Sequence, residues 1–251
     1  MNYERYHRQL ILPNFGTEAQ EKIAQAKVLV VGAGGLGCPV LQFLTVAGVG
    51  NLGIVDYDII TVSNLQRQIL YDESSIGRNK AEMAKEKLQQ LNSEITITAF
   101  PERFTQQNAL NLLQNYDIAV GCTDNFPSRY LLDDACRLQN KPWVHGAVYQ
   151  YEGQVSVFNT SESGNYRDLF PELQHSNEVL NSNETGILGV LSGIIGTIQA
   201  NEVIKLITGI GEVLAGKLLI MTILDYKTKI IRYNKNEDFL PQGTQSLNAK
   251  D

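Results

Sequence analysis

The chain reads as an α/β protein: a doubly wound, mostly parallel sheet extended by antiparallel strands near its C-terminal end. Three observations predict this. Short apolar runs alternate with amphipathic stretches over residues 27–147, as strands alternate with crossover helices. The first run ends in Gly32-Ala33-Gly34-Gly35-Leu36-Gly37, which fits G-x-G-x-x-G between a strand and a helix. The last two apolar runs, residues 218–224 and 229–233, flank Asp225-Tyr226-Lys227-Thr228 and read as an antiparallel pair.

Taken in order, residues 3–12 and 17–26 read as two short N-terminal helices. Lys27-Val28-Leu29-Val30-Val31-Gly32 is a continuous apolar run, as expected of a strand buried on both faces. Residues 35–48 read as the next helix, and Pro39 is tolerated in its first turn, where a missing N–H costs little. Residues 51–56 are the second strand. Residues 77–92 have helical period, with Ala81, Ala84 and Leu88 on one side. Strands at 95–100, 117–121 and 143–147 then alternate with helices at 106–113 and 127–139. This is the signature of a Rossmann-like sheet. Residues 154–159 add another strand. Residues 160–185 are polar and without clear period, and so long a connection is usually functional or disordered. Residues 189–208 form a long, largely apolar helix with small residues at Gly193, Gly196 and Ala200. The pattern predicts one domain over 1–240, with its N-terminal helices in 1–26, a crossover loop over 160–185 and a solvated tail over 241–251.

A length of 251 residues suits one large α/β domain or two small ones. Hydrophobic residues at 43% and charged residues at 19% are ordinary for a soluble globular protein. A net charge of −6 and a pI near 5.2 argue against a general nucleic-acid or anionic-membrane surface. The most apolar stretch, residues 186–198, is broken by glycines and falls short of the roughly 20 residues that span a bilayer. The first residues lack the basic-then-apolar order of a signal peptide. The expectation is a cytoplasmic protein with no nucleic-acid or membrane partner. Cys38, Cys122 and Cys136 form no Cys-x-x-Cys pair, so they offer neither a four-cysteine zinc site nor a disulfide framework.

The glycine turn points to a nucleotide. Glycines let the backbone turn tightly and approach a ligand, and the helix N-terminus behind them offers free N–H groups. Asp56 ends the next strand, where a carboxylate commonly accepts from ribose hydroxyls; the alternative for Asp56 is a turn cap. Asp58 is the weaker of the pair, because two like charges rarely share one ribose. Ser63-Asn64-Leu65-Gln66-Arg67-Gln68 decides between nucleotides. An amide-rich segment with an arginine suits a triphosphate whose phosphates are handled, and suits NAD poorly. Arg67 is a fork-shaped cation matched to phosphate oxygens. Asn64 and Gln68 can bond phosphate or metal-bound water. Lys80 opens a helix and can lean back toward the same crevice. Asp124, in Cys122-Thr123-Asp124-Asn125 just past the fourth strand, can hold Mg2+, a hard ion that prefers oxygen. Any one of these alone is better read as a surface ion pair. Together, at the carboxyl ends of strands, they read as a triphosphate site.

With these residues in place the chain resembles the MoeB/ThiF/HesA family, bacterial relatives of the ubiquitin-activating enzymes. The resemblance runs over residues 3–233 and rests on Arg5-Tyr6-His7-Arg8-Gln9, the glycine turn, Val55-Asp56, Ser63 to Gln68, Lys80, Thr123-Asp124-Asn125, Gly146-Ala147 and residues 186–205. It implies adenylation, with ATP and Mg2+, of the C-terminal carboxylate of a small ubiquitin-like sulfur carrier ending in Gly-Gly, for thiazole or molybdopterin synthesis. By resemblance Asp56 binds ribose, Asn64, Arg67 and Lys80 address the phosphates, Asp124 positions Mg2+, and Arg8 reaches across a homodimer into the neighbour's site. The crossover loop would cover the carrier's extended tail.

The chain departs from that family in two places. Many members hold structural zinc with two Cys-x-x-Cys pairs; here the first reads Asn165-Tyr166-Arg167-Asp168 and the C-terminal region has no cysteine, so no zinc is expected. Many also carry a cysteine just before the segment matching Glu184-Thr185-Gly186, where this chain has Ser182. A serine supplies no thiolate at neutral pH, which argues against thioester or persulfide chemistry there. Other readings are adenylation of a different carboxylate or of a tRNA base, a carrier-binding pseudoenzyme, and an NAD-dependent oxidoreductase. The last lacks a hydride-transfer motif around His7, His145 or His175. The apolar helix at 189–208 is the expected dimer surface.

Overall fold

Five parallel strands carry the N-terminal half of the computed structural model, which describes residues 3–171 and 186–235. They are β1 (Lys27–Val31), β2 (Asn51–Val55), β3 (Thr96–Phe100), β4 (Ile118–Gly121) and β5 (Trp143–Tyr149). β6 (Glu152–Phe158), β7 (Lys217–Thr222) and β8 (Thr228–Arg232) continue the same sheet antiparallel, in the order β3-β2-β1-β4-β5-β6-β7-β8. β1 pairs with β2 on one side and β4 on the other, so the winding reverses there. The crevice outside the carboxyl ends of strands at such a reversal is where open α/β sheets take ligands.

Helices cover both faces. They are α1 (Tyr3–Leu10), α2 (Gly16–Gln25), α3 (Gly37–Ala47), α4 (Lys80–Leu91), α5 (Ala109–Leu113), α6 (Phe126–Leu138), α7 (Tyr166–Leu169) and α8 (Gly189–Thr208). The strand period of two divides β1 between them: Val28 and Val30 pack into the layer of α3, α4 and α8, while Leu29 and Val31 pack toward α5 and α6. Each fully buried aliphatic side chain contributes about 1.5–3 kcal/mol.

Several expected boundaries move, each for a local reason. The fourth helix, α4, begins at Lys80 rather than Gly77, because Gly77 has φ +84° and Asn79 caps the helix by accepting from the Glu82 N–H at 3.1 Å. β5 and β6 run longer than expected and meet in a hairpin at Gln150 and Tyr151. The polar stretch 160–185 is not featureless: α7 lies within it, and its residues past 171 are outside those described.

At 20 residues α8 is long and apolar enough to cross a membrane, yet it packs inside the fold against α3, β5 and β6. Gly196 and Ala200 face those contacts, while Gly193 faces open space. A Cβ on Gly196 would lie 2.5 Å from the Leu36 carbonyl oxygen, and one on Gly153 of β6 would lie 2.2 Å from Ile195. Val190, at 64% exposure, marks the side that stays open.

Candidate functional site

The turn after β1 is built on space that only glycine leaves. Gly32 has φ +101°, and a Cβ there would sit 2.7 Å from the Cys122 carbonyl oxygen. A Cβ on Gly37 would sit 2.0 Å from the Gly32 carbonyl oxygen, so that glycine lets α3 close onto the strand end. α3 starts without a side-chain cap, which leaves its N-terminal dipole facing the turn.

Asp56, just beyond β2, ties the turn down. Its Oδ2 accepts from the Ala33 N–H at 2.7 Å and its Oδ1 from the Asp58 N–H at 2.8 Å. Asp56 therefore caps the turn, one of its two readings, and it also lines the cavity. Burial raises its pKa above the ordinary carboxyl value, against the Ala33 N–H and the nearby Lys80 ammonium, which lower it. Asn79 donates to the carbonyls of Asp56 and Asp58, both at 3.2 Å, and so brings the start of α4 to the same point. There Lys80, with a buried side chain, pairs with Asp58 at 2.9 Å. Asp58, the weaker ribose candidate by sequence, is the partner that lets a lysine sit buried at the cavity wall.

Residues 61–68 cross the mouth in tight turns. Asn64 Oδ1 accepts from the Thr61 N–H at 3.3 Å, and Arg67 Nη1 donates to the Ser63 carbonyl at 3.0 Å. Gln68 is buried, and its Oε1 has no hydrogen-bond partner among the described residues. A Cβ on Gly189 would lie 2.2 Å from the Gln66 carbonyl oxygen, so this segment abuts the start of α8.

The loop after β4 completes the site. Asn125 caps α6 by accepting from the Ser128 N–H at 2.9 Å, which leaves Asp124 exposed beside it. Arg129 donates through Nε and Nη2 to the Thr123 carbonyl at 3.3 and 3.1 Å. From α8, Gln199 donates to the Gly121 carbonyl at 2.9 Å. Burial pushes the Cys122 thiol well up, so it is no nucleophile. No group of three or more metal-binding side chains occurs among the described residues. A lone exposed Asp such as Asp124 fits Mg2+ only together with substrate phosphates, because that ion is commonly held by one or two carboxylates plus phosphate oxygens.

One cavity of about 670 Å³ joins these parts. It is lined by Gly32, Gly34, Gly35, Asp56, Ser63, Asn64, Gln66, Arg67, Gln68, Lys80, Asp124 and Asn125, which the sequence picked out. Leu65 and Gly37 do not line it; Leu65 packs against the core and Gly37 acts through the turn. Arg8 lies on the exposed side of α1 and is not brought to the cavity of its own chain. The sequence reasoning missed Tyr57, Arg103, Phe104, Arg129 and Ser192 as lining residues. Arg129, one α-helical turn past the Asn125 cap, had a readable signal; the others did not.

A model of the ThiF family matches residues 6–240. The chain belongs to the ThiF family. The sulfur carrier protein adenylyltransferase of Thermus thermophilus is 46% identical over 238 residues, covering 93% of this chain and 88% of that protein. The adenylyltransferase and sulfurtransferase MOCS3 of Culex quinquefasciatus is 48% identical over 216 residues, 86% of this chain. The chain spans only 49% of that relative's length, and 60% of the 44% identical probable adenylyltransferase/sulfurtransferase MoeZ of Mycobacterium tuberculosis. Among solved structures, E. coli MccB bound to MccA-N7isoASN superposes with a TM-score of 0.84 over 95% of this chain and 74% of that one. At 22% identity this likeness shows a shared fold.

In this ThiF-family chain, residues 165–168 form a capped turn of helix. The Asn165 side chain accepts from the Asp168 N–H at 3.1 Å and Asp168 returns the bond to the Asn165 N–H at 2.8 Å. The Tyr166 N–H and the Trp143 indole N–H both donate to Oδ1 of buried Asp133 at 3.0 Å. Arg167 pairs with Asp134 at 2.8 Å. His145 lies buried among Trp143, Phe158, Tyr166 and Phe170, and burial drives its pKa well below 6.5. It is a neutral core residue. Ser182 and His175 fall outside the described residues.

Proposed function

We propose that this chain is an ATP-dependent adenylyltransferase that activates the C-terminal carboxylate of a small ubiquitin-like sulfur carrier ending in Gly-Gly. The product feeds thiazole or molybdopterin synthesis. The observation that carries the reading is the convergence of Asp56, Asn64, Arg67, Lys80 and Asp124 on one cavity at the sheet's winding reversal. The 46% identical Thermus relative, a sulfur carrier protein adenylyltransferase, supports it.

The chemistry asks for alignment more than for a base. A carrier carboxylate oxygen attacks the α-phosphorus, the bond from that phosphorus to the bridging oxygen breaks, and pyrophosphate leaves. The carboxylate is already the nucleophile, so orientation and charge neutralisation lower the barrier. The glycine turn and Asp56 would hold the ribose end. Asn64, Arg67 and Lys80 would hold phosphate oxygens, with Lys80 exchanging Asp58 for phosphate. Asp124 would hold Mg2+, which when bound neutralises charge on the leaving pyrophosphate. By the family resemblance, Arg8 would enter from the second subunit of a homodimer; α1 does not bring it to its own chain's cavity.

Carrier-dependent exchange of labelled pyrophosphate into ATP tests this directly. We expect exchange with a Gly-Gly-terminated carrier. Asp124→Ala should lower it by about 10²–10³-fold, the usual loss for one preorganised transition-state contact. Exchange that ignores the carrier, or that survives Asp124→Ala undiminished, would overturn the assignment.

A further inference from the structure

Among the described residues of α1, Tyr6 alone is buried. A helix of eight residues is marginal by itself in water, so the place of α1 depends on what holds it. Tyr6 Oη accepts from Asn92 Nδ2 at 2.9 Å. Its ring lies over Gly48, where φ is +89° and a Cβ would sit 2.6 Å from the ring's Cζ. The same Asn92 amide, fully buried, donates to the Thr45 carbonyl at 3.0 Å. Two outer ties flank this anchor: Arg5 Nη1 donates to the Leu91 carbonyl at 3.0 Å, and Gln9 Nε2 donates to Gln20 Oε1 at 2.6 Å.

The anchor points are the far ends of the two helices that leave the cavity. Gly48 is the C-cap of α3 and Asn92 the C-cap of α4. α3 begins behind the glycine turn and α4 begins at Lys80, both at the cavity. With 11 and 12 residues they are about 16 and 18 Å long. α1 is therefore held a helix length away from the site of its own chain. Arg8 follows Tyr6 by two positions, which sets it on the opposite, exposed side of α1. An arginine so placed faces outward and away from its own cavity.

We propose that Tyr6 is a positioning residue for adenylation. Seated on the ends of α3 and α4, it sets α1 so that Arg8 meets the site of a second copy of this chain. The inference rests on the adenylation reading and on the entry of Arg8 from the second subunit. Tyr6 does not line the cavity and acts only through the placement of α1. Its loss is therefore felt in the neighbour's site and not in its own.

Pyrophosphate exchange by refolded mixtures of full-length variants tests this. Tyr6→Ala should lower carrier-dependent exchange by about 10²-fold, the loss that a misplacement of about 1 Å can cause. Refolded in equal amounts with Asp124→Ala, it should regain about a quarter of wild-type exchange, because about half of the dimers are mixed and each joins one intact site to one placed Arg8. Refolded with Arg8→Ala it should regain none, since no site then receives a placed Arg8. A Tyr6 that merely stabilises its own chain's site gives the reverse pattern, with no recovery beside Asp124→Ala and recovery beside Arg8→Ala. That pattern overturns the inference, as does undiminished exchange in Tyr6→Ala. Tyr6→Phe, which keeps the ring over Gly48, should lose less and show the same pairing, so the test stands even where loss of the whole ring prevents refolding. A wild type without exchange would sink the adenylation reading. Failure of Arg8→Ala and Asp124→Ala to complement each other would remove Arg8 from the neighbour's site. Either result takes the inference with it.

Discussion

Replacing Asp133 with asparagine should stabilise the protein at neutral pH and flatten part of its pH dependence. Asp133 is fully buried, its Oδ1 takes two N–H groups, and its Oδ2 has no partner among the described residues. Burial raises its pKa from 3.8 to about 6, against the Tyr166 and Trp143 N–H groups, which lower it. The folded protein thus keeps this proton up to about pH 6, while the unfolded chain loses it near 3.8. The folded state binds more protons in that window, so the stabilising contribution is full below 3.8 and is lost as pH rises through about 6. At about 1.4 kcal/mol per pH unit, the gap is worth about 3 kcal/mol. Asparagine keeps the acceptor and carries no charge to bury. Urea unfolding should find Asp133→Asn close to wild type at pH 4 and up to about 3 kcal/mol more stable at pH 8. Asp133→Ala should instead cost about 1–3 kcal/mol for each buried donor it strands. An asparagine variant less stable than wild type at pH 8 would refute the reasoning, because Asp133 would then be a stabilising anion.

Two further outcomes follow from the site. Gly37→Ala should force the turn apart, since its Cβ would meet the Gly32 carbonyl oxygen at 2.0 Å; overpacking of this kind costs about 1–3 kcal/mol, and calorimetry should also find ATP affinity reduced. Arg8→Ala and Asp124→Ala should each be inactive alone, yet regain about a quarter of wild-type exchange when unfolded together and refolded, because each mixed dimer holds one intact site. Recovery no greater than the sum of the two singles would place Arg8 outside the neighbour's site.

Much of the nucleotide half was legible because its signals are local. The strand-to-helix alternation, the glycines of the turn and the run from Ser63 to Gln68 are each contiguous in sequence. What stayed hidden depends on neighbours that only the sheet creates. Arg103 is a lone charge in a polar loop until β3 pairs with β2 and sets it over Tyr57. Asp58 looked like a redundant charge until α4 brought Lys80 back to it. The turn at 165–168 has no apolar period to announce it; capping and the distant Asp133 hold it. The small residues of α8 are ambiguous in sequence, because the same pattern serves a dimer face or a close approach inside one chain.

Asp56 has a consequence for anyone reading variants of this site. Its carboxylate holds the Ala33 and Asp58 N–H groups with separate oxygens, so the proposed ribose contact and the scaffold draw on the same side chain. Asp56→Ala would release the turn before any ribose arrives, and Asp56→Asn would keep only one of the two acceptors. Neither substitution isolates a sugar contact. A nucleoside triphosphate lacking one ribose hydroxyl, bound to the unaltered protein, separates the two roles that mutagenesis at this position confounds.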